Sequence, residues 1–216
     1  MKYLAILSVL ASASTALPSV TPIPVRWPGT CTNWPQWLNT GPGGPDTTGS
    51  IMFVPANVDD DTINGLPLQQ QQTPWQGSTR ELLGVTFVAS RHFAKAYFRC
   101  RDGIPSIGPS LSQNITISRD MRNAHLLVNA PASQTYEPEI YYLEGEDGKR
   151  LDGVYLGALN QTKWGFSYIE GKCGANGKAG WPWLEAKLLG LPVDETVPPT
   201  AGYDSEWEGF LKIIPY

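Results

Sequence analysis

Residues 91–101 hold Arg91, Lys95, Arg99 and Arg101 beside Phe93 and Tyr97. In an extended strand, where successive side chains point to opposite faces, all six share one face, opposite His92, Ala94, Ala96, Phe98 and Cys100. Such a stripe suits an anionic polymer: guanidinium and ammonium groups meet carboxylate, sulfate or phosphate, and the rings stack on what lies between. Arg91, Phe93, Lys95, Tyr97 and Arg99 are therefore candidate ligand-binding residues, with a pectin-like glycan or an acidic membrane surface as the ligand. The plainer account pairs these cations with the protein's own acids and covers the rings with the N-terminal segment. A helical backbone would break up the face altogether.

Tryptophan is unusually frequent, with 8 residues. Trp181 and Trp183 flank Pro182 after a Gly-rich stretch, and Trp34 and Trp37 flank Pro35-Gln36 before another. Rings presented on loops stack on sugar faces, so Trp181 and Trp183 join the candidate ligand-binding residues. Against this, Trp in a small β domain usually belongs to the core, and a neighbouring Pro usually fixes the chain path.

Residues with acid–base or metal chemistry are sparse. Asp204, Glu206 and Glu208 alternate around Trp207, a spacing at which two carboxylates can flank a glycosidic bond; Glu206 and Glu208 are the weak catalytic candidates. Solvation on the polar face of a strand explains them more simply. His92 and His125 are the only histidines, neither lies in a nucleophile motif, and no Gly-x-Ser-x-Gly occurs. Zinc-type His or Cys spacing is absent. Asp60, Thr62, Asn64 and Gly65 imitate the start of a calcium loop, but Gln71 stands where a bidentate Glu is required and Pro67 interrupts. No metal or cofactor is expected.

Cys31, Cys100 and Cys173 allow three different single bridges, each leaving one thiol. Cys100 and Cys173 both follow strand-like runs and precede Gly-containing turns, which favours a Cys100–Cys173 bridge and leaves Cys31 buried or paired between chains.

These residues need elements to hold them. The chain has 216 residues, 41% hydrophobic and 17% charged, enough apolar material for one domain with a sizeable core. Lys2, the apolar run 4–10 and the small residues 14–16 read as a signal peptide over 1–16, implying secretion. Without Lys2, 15 Lys and Arg remain of the original 16 against 20 Asp and Glu, a net charge of -5. That balance argues against nucleic acid as a partner. No later stretch reaches the ~20 apolar residues of a transmembrane segment. Asn114-Ile115-Thr116 and Asn160-Gln161-Thr162 are glycosylation sequons.

Residues 17–80 are rich in Pro, Gly and Trp and carry the four-Gln run 69–72; they read as an irregular arm packed on the domain. Residues 81–216 alternate short β-type runs with turn residues, at 82–89, 93–99, 114–118, 124–129, 140–143, 154–159, 164–170, 183–189 and 207–214. The expected fold is all-β, a single sandwich or barrel-like domain. Glu146-Asp147-Gly148-Lys149 marks a hairpin with a primed turn. Lys149-Arg150 is a dibasic pair of the kind cut in secreted chains, unless the hairpin shields it.

A short signal peptide, one small Pro/Gly/Trp-rich domain, two sequons and few cysteines resemble the small secreted proteins of filamentous fungi, a class that includes effectors, elicitors of plant responses and wall-associated proteins. The resemblance implies a secreted, non-enzymatic interaction protein acting on an extracellular glycan or a host surface protein, as a monomer or weak dimer. The alternatives are a carbohydrate-active hydrolase using the carboxylates around Trp207, and a structural cell-wall protein.

Overall fold

The computed structural model describes residues 17–25, 29–75, 78–86, 97–107, 113–119, 124–170, 182–191 and 205–216. Its strands are β1 (Val20–Pro24), β2 (Trp37–Leu38), β3 (Thr47–Thr48), β4 (Ile51–Ala56), β5 (Leu68–Trp75), β6 (Ser78–Thr86), β7 (Phe98–Arg101), β8 (Ile104–Ile107) and β9 (Gln113–Ser118). They continue with β10 (Leu126–Val128), β11 (Thr135–Tyr136), β12 (Glu139–Gly145), β13 (Val154–Gly157), β14 (Lys163–Ile169), β15 (Trp183–Leu188) and β16 (Trp207–Pro215). One turn of 3-10 helix, Ala132–Gln134, is the only helical element among the described residues. The fold is all-β, one large antiparallel sheet.

The sheet curls back on itself. From β16 the pairing runs to β4, from β4 to β7 through Ile51 and Phe98, and on through β8 and β9 to β10. From β10 it reaches β15 through the His125 to Lys187 bridge, then β14, and so returns to β16. This closed path makes the molecule barrel-like. The β5–β6 hairpin joins at the junction of β10 and β15, and β1, β12 and β13 extend as a flange from β16.

Alternation fills the interior. Trp164 and Phe166 of β14, Leu184, Ala186 and Leu188 of β15, Ile115 and Ile117 of β9 and Phe98 of β7 belong to one buried cluster. Phe53 and Phe98 stack with centroids 4.6 Å apart. Trp164 is fully buried and its indole N–H donates to the Leu156 carbonyl at 2.9 Å. Taking a ring of that size out of water stabilises by about 4 kcal/mol, and the bond satisfies its one polar group. On the flange, Tyr141, Leu143, Tyr155 and Phe210 form a second, smaller core.

Two expectations need correction. The described part of 17–80 is not wholly irregular: between its turns it supplies β1 to β5, which share one sheet with the later strands. Three of their prolines, Pro22, Pro24 and Pro55, sit where a missing N–H does little harm. Pro22 and Pro24 lie in β1, which pairs only with β12, and Pro55 lies where β4 pairs with β16 alone. The hairpin at 146–149 is present, but only Gly148 has positive φ, 72°. This is a three-residue connection with Gly in the left-handed position, the alternative to a primed turn. Lys149 and Arg150 are tied into it: the Lys149 carbonyl accepts the Gly145 N–H at 2.8 Å, and Arg150 bridges Glu144 and lies over the Tyr142 ring.

Candidate functional site

Strand β7 carries the described part of the cationic stripe. Phe98 and Cys100 are fully buried, and Arg99 and Arg101 alternate onto the opposite face. Cross-strand partners in an antiparallel sheet share a face, so the register extends this one. Arg101 lies opposite Thr47, which lies opposite Leu38; Arg99 lies opposite Ser106, which lies opposite Asn114. Leu38 is 47% exposed, Asn114 is exposed and Ser106 is buried between Arg99 and Asn114.

A disulfide anchors this edge, and it joins Cys31 to Cys100. The expected Cys100–Cys173 bridge is thereby overturned. Chain position alone did not reveal that the 29–49 segment folds against β7 through β3 and brings Cys31 beside Cys100. Cys173 lies outside the described residues. Around the bridge, Thr47 Oγ1 donates to the Cys100 carbonyl at 2.9 Å, and the Cys100 N–H donates to Thr48 Oγ1 at 3.0 Å. The Asp46 carboxylate accepts the Cys31 N–H at 2.7 Å and the Trp37 indole N–H at 2.9 Å. Partial burial pushes the Asp46 pKa up, but these donors and Thr30 together hold it below its ordinary value. Gly103, at φ 83°, packs so closely on the Gly29 backbone that a Cβ would collide, which explains a Gly at this turn.

Arginine stacked on tyrosine recurs at the surface. The Arg99 guanidinium lies 5.9 Å from the Tyr97 ring centroid, Arg119 lies 4.9 Å from Tyr136, and Arg150 lies 4.6 Å from Tyr142. Stacking uses the guanidinium face and leaves in-plane N–H groups for an anion. Arg119 Nε already donates to the Thr135 carbonyl at 2.8 Å, whereas Arg99 Nε is buried with no hydrogen-bond partner among the described residues. Arg101 faces Asp102 at 3.7 Å, with both side chains largely in solvent, an ion pair of small consequence. The spacing of Tyr97 and Arg99 was readable from the sequence. The Arg119–Tyr136 contact depends on β9 pairing with β11 and had no sequence signal.

The other candidates fall elsewhere. Arg91, Phe93, Lys95, Trp181, His92 and Asp204 lie outside the described residues. Trp183 is no exposed platform: it is 8% exposed, and it packs with Leu82 and Leu127 over Gly84. Trp34 is buried, but Trp37 is 36% exposed beside the anchored edge. Glu206 is exposed and accepts the Tyr168 N–H at 3.4 Å, and Glu208 pairs with Lys163 across the strands. Those contacts fit surface carboxylates. Asp60 accepts from the Thr62 N–H and hydroxyl, and Asn64 bonds both main-chain groups of Val58, as turn residues do. Asn160 is exposed at a tight turn closed by Ala158 and Gln161.

A polar cluster absent from the sequence reading occupies the junction of β6, β10 and β15. Glu185, Lys187 and His125 are all buried, with His125 Nε2 3.3 Å from Glu185 Oε1. Burial raises the Glu185 pKa, and Lys187 opposes that shift. Ser167 lies opposite Glu185, and Lys187 opposite His125. A carboxyl group held towards its neutral form beside an imidazole is equipped for proton transfer. Glu185 and Lys187 alternate with Leu184, Ala186 and Leu188 in β15, so nothing in the local sequence singles them out.

No helix of the described residues is long and apolar enough to cross a membrane. The sequence matches no protein-family model and no curated protein.

Proposed function

We propose that this protein is a secreted, non-enzymatic interaction protein that binds an anionic extracellular glycan on the face carrying Tyr97, Arg99 and Arg101. The observation that carries the reading is the Arg99 guanidinium lying over Tyr97, on a strand fixed from behind by the Cys31–Cys100 bridge. An arginine oriented in advance on a rigid strand loses little entropy when it meets a carboxylate or sulfate, and the neighbouring ring gives a sugar a stacking surface. Leu38 adds apolar contact beside it. The bridge suits an oxidising compartment, which agrees with a signal peptide over 1–16. Effector-like or elicitor-like activity is the biological form this binding takes.

The buried Glu185–His125 pair favours a second reading, a carbohydrate-active hydrolase working there instead of at Glu206 and Glu208. One experiment separates the two. Purified protein is screened on an array of neutral, uronic-acid and sulfated polysaccharides while reducing ends are assayed in parallel. Retention by the anionic glycans without new reducing ends supports the binding reading. New reducing ends that disappear in Glu185→Gln establish the hydrolase, and binding confined to neutral glycans defeats the anionic ligand.

A further inference from the structure

Asn114 stands on the proposed ligand face, and we infer that a glycan on Asn114 gates that face. The inference rests on the anionic-glycan reading above. Three observations bring it about. Asn114, Ser106 and Arg99 are consecutive cross-strand neighbours on β9, β8 and β7, so two strand spacings, about 10 Å, separate Asn114 from Arg99. Asn114 is exposed at the N-terminal end of β9, and its Oδ1 lies 3.4 Å from the Ser106 hydroxyl, which places the amide on the Arg99 side. Asn114-Ile115-Thr116 is a complete acceptor sequence. An attached oligosaccharide reaches further than the distance to Arg99, so its first sugars occupy the space an anionic chain needs over Arg99 and Tyr97.

The second sequon provides the internal control. Asn160 sits between β13 and β14, which pair with none of β7, β8 or β9. A glycan there leaves the face open. The modification requires a lipid-diphosphate-linked oligosaccharide as donor. The Asn114 side-chain nitrogen forms a bond to the anomeric carbon, the anomeric carbon–oxygen bond breaks, the lipid diphosphate leaves with the electron pair, and one amide proton is released. The protein with an unoccupied Asn114 is then the binding form, and the occupied protein is the masked form.

The test uses full-length protein secreted from a glycosylating eukaryotic host, in four versions: wild type, Asn114→Gln, Thr116→Val and Asn160→Gln. Thr116→Val removes the acceptor sequence while leaving Asn114 in place, and the Thr116 hydroxyl has no hydrogen-bond partner among the described residues, so the isosteric change suits the site. Glycopeptide mass mapping reads occupancy, and elution from immobilised polygalacturonate in a salt gradient reads binding. The expected result is a glycan on Asn114 of the wild type and a shift to higher eluting salt in both Asn114→Gln and Thr116→Val, with Asn160→Gln eluting as wild type. An unoccupied Asn114 overturns the gate, as does an occupied Asn114 whose removal leaves elution unchanged; both leave the ligand reading standing if an Arg99→Ala control elutes early. Failure of every version to bind, including the unglycosylated ones, overturns the ligand reading and the gate together.

Discussion

Glu185 lies on the outward face of β15 and is only 9% exposed, so its ionisation bears on stability. Its folded-state pKa lies above its ordinary value of 4.5 because burial penalises the carboxylate. Stability from this residue is therefore fully present below the unfolded pKa and is lost as pH rises through the raised value. Glu185→Gln is expected to gain on the wild type as pH rises from 4 to 8, and thermal midpoints taken across that range check it; parallel curves would refute it. Asp46 has the opposite sign. Its pKa is lowered from 3.8, so its contribution is present at neutral pH and disappears as pH falls below that value. Asp46→Asn should cost about 1 kcal/mol at pH 7 through weakened hydrogen bonds to Cys31 and Trp37, read by denaturant titration with Trp fluorescence. The sequence placed Arg99 and Arg101 opposite Phe98 and Cys100 correctly, because alternation is a local rule. It could not place Glu185 against His125, because that contact depends on two strands distant in sequence meeting at a third.

At the scale of elements, the turn between β13 and β14 holds two consecutive non-glycine residues at positive φ. Leu159 and Asn160 both have positive φ, 50° and 61°, in a loop closed by mutual hydrogen bonds of Ala158 and Gln161. Leucine tolerates this conformation poorly, at a cost of roughly 1–2 kcal/mol. The neighbours hold it: the Leu159 N–H donates to Glu139 at 3.0 Å, the Asn160 N–H donates to the Tyr141 hydroxyl at 2.9 Å, and that hydroxyl donates to Glu139. Leu159→Asn relieves the strain and leaves the Asn160 sequon intact, so it should raise stability by about 1 kcal/mol in chemical denaturation. An unchanged or lower stability would mean that the exposed leucine makes compensating contacts. Most described runs from residue 82 onward were readable as strands from β-branched and aromatic residues bounded by turn residues, whereas β8 and β11 were not, and 87–96 lie outside the described residues. Strands β1 to β5 were not readable, since the prolines within them and the glycines between them speak for irregular backbone and only pairing with β12, β16, β7 and β6 makes them extended.

The whole molecule is closed at a narrow point. Strands β4 and β7 meet at Ile51 and Phe98, and the Cys31–Cys100 bridge ties the adjoining segment to β7 across a sequence separation of 69. In the chain-entropy model a loop of that length stabilises the fold by about 4 kcal/mol. Cys31→Ser with Cys100→Ser should lose most of it, while Cys173→Ser should leave this bridge in place; non-reducing peptide mapping with calorimetry reads both. The same bridge fixes the face on which the functional account depends, in a protein whose net charge is -4. A positive site on such a protein acts locally, over about 10 Å at physiological salt. Retention on immobilised polygalacturonate across a salt gradient, comparing enzymatically deglycosylated wild type with Arg99→Ala plus Arg101→Ala, tests this most directly. The account predicts salt-dependent retention of the wild type and its loss in the double variant at unchanged thermal stability. Retention that survives the double change, or that does not vary with salt, would contradict it.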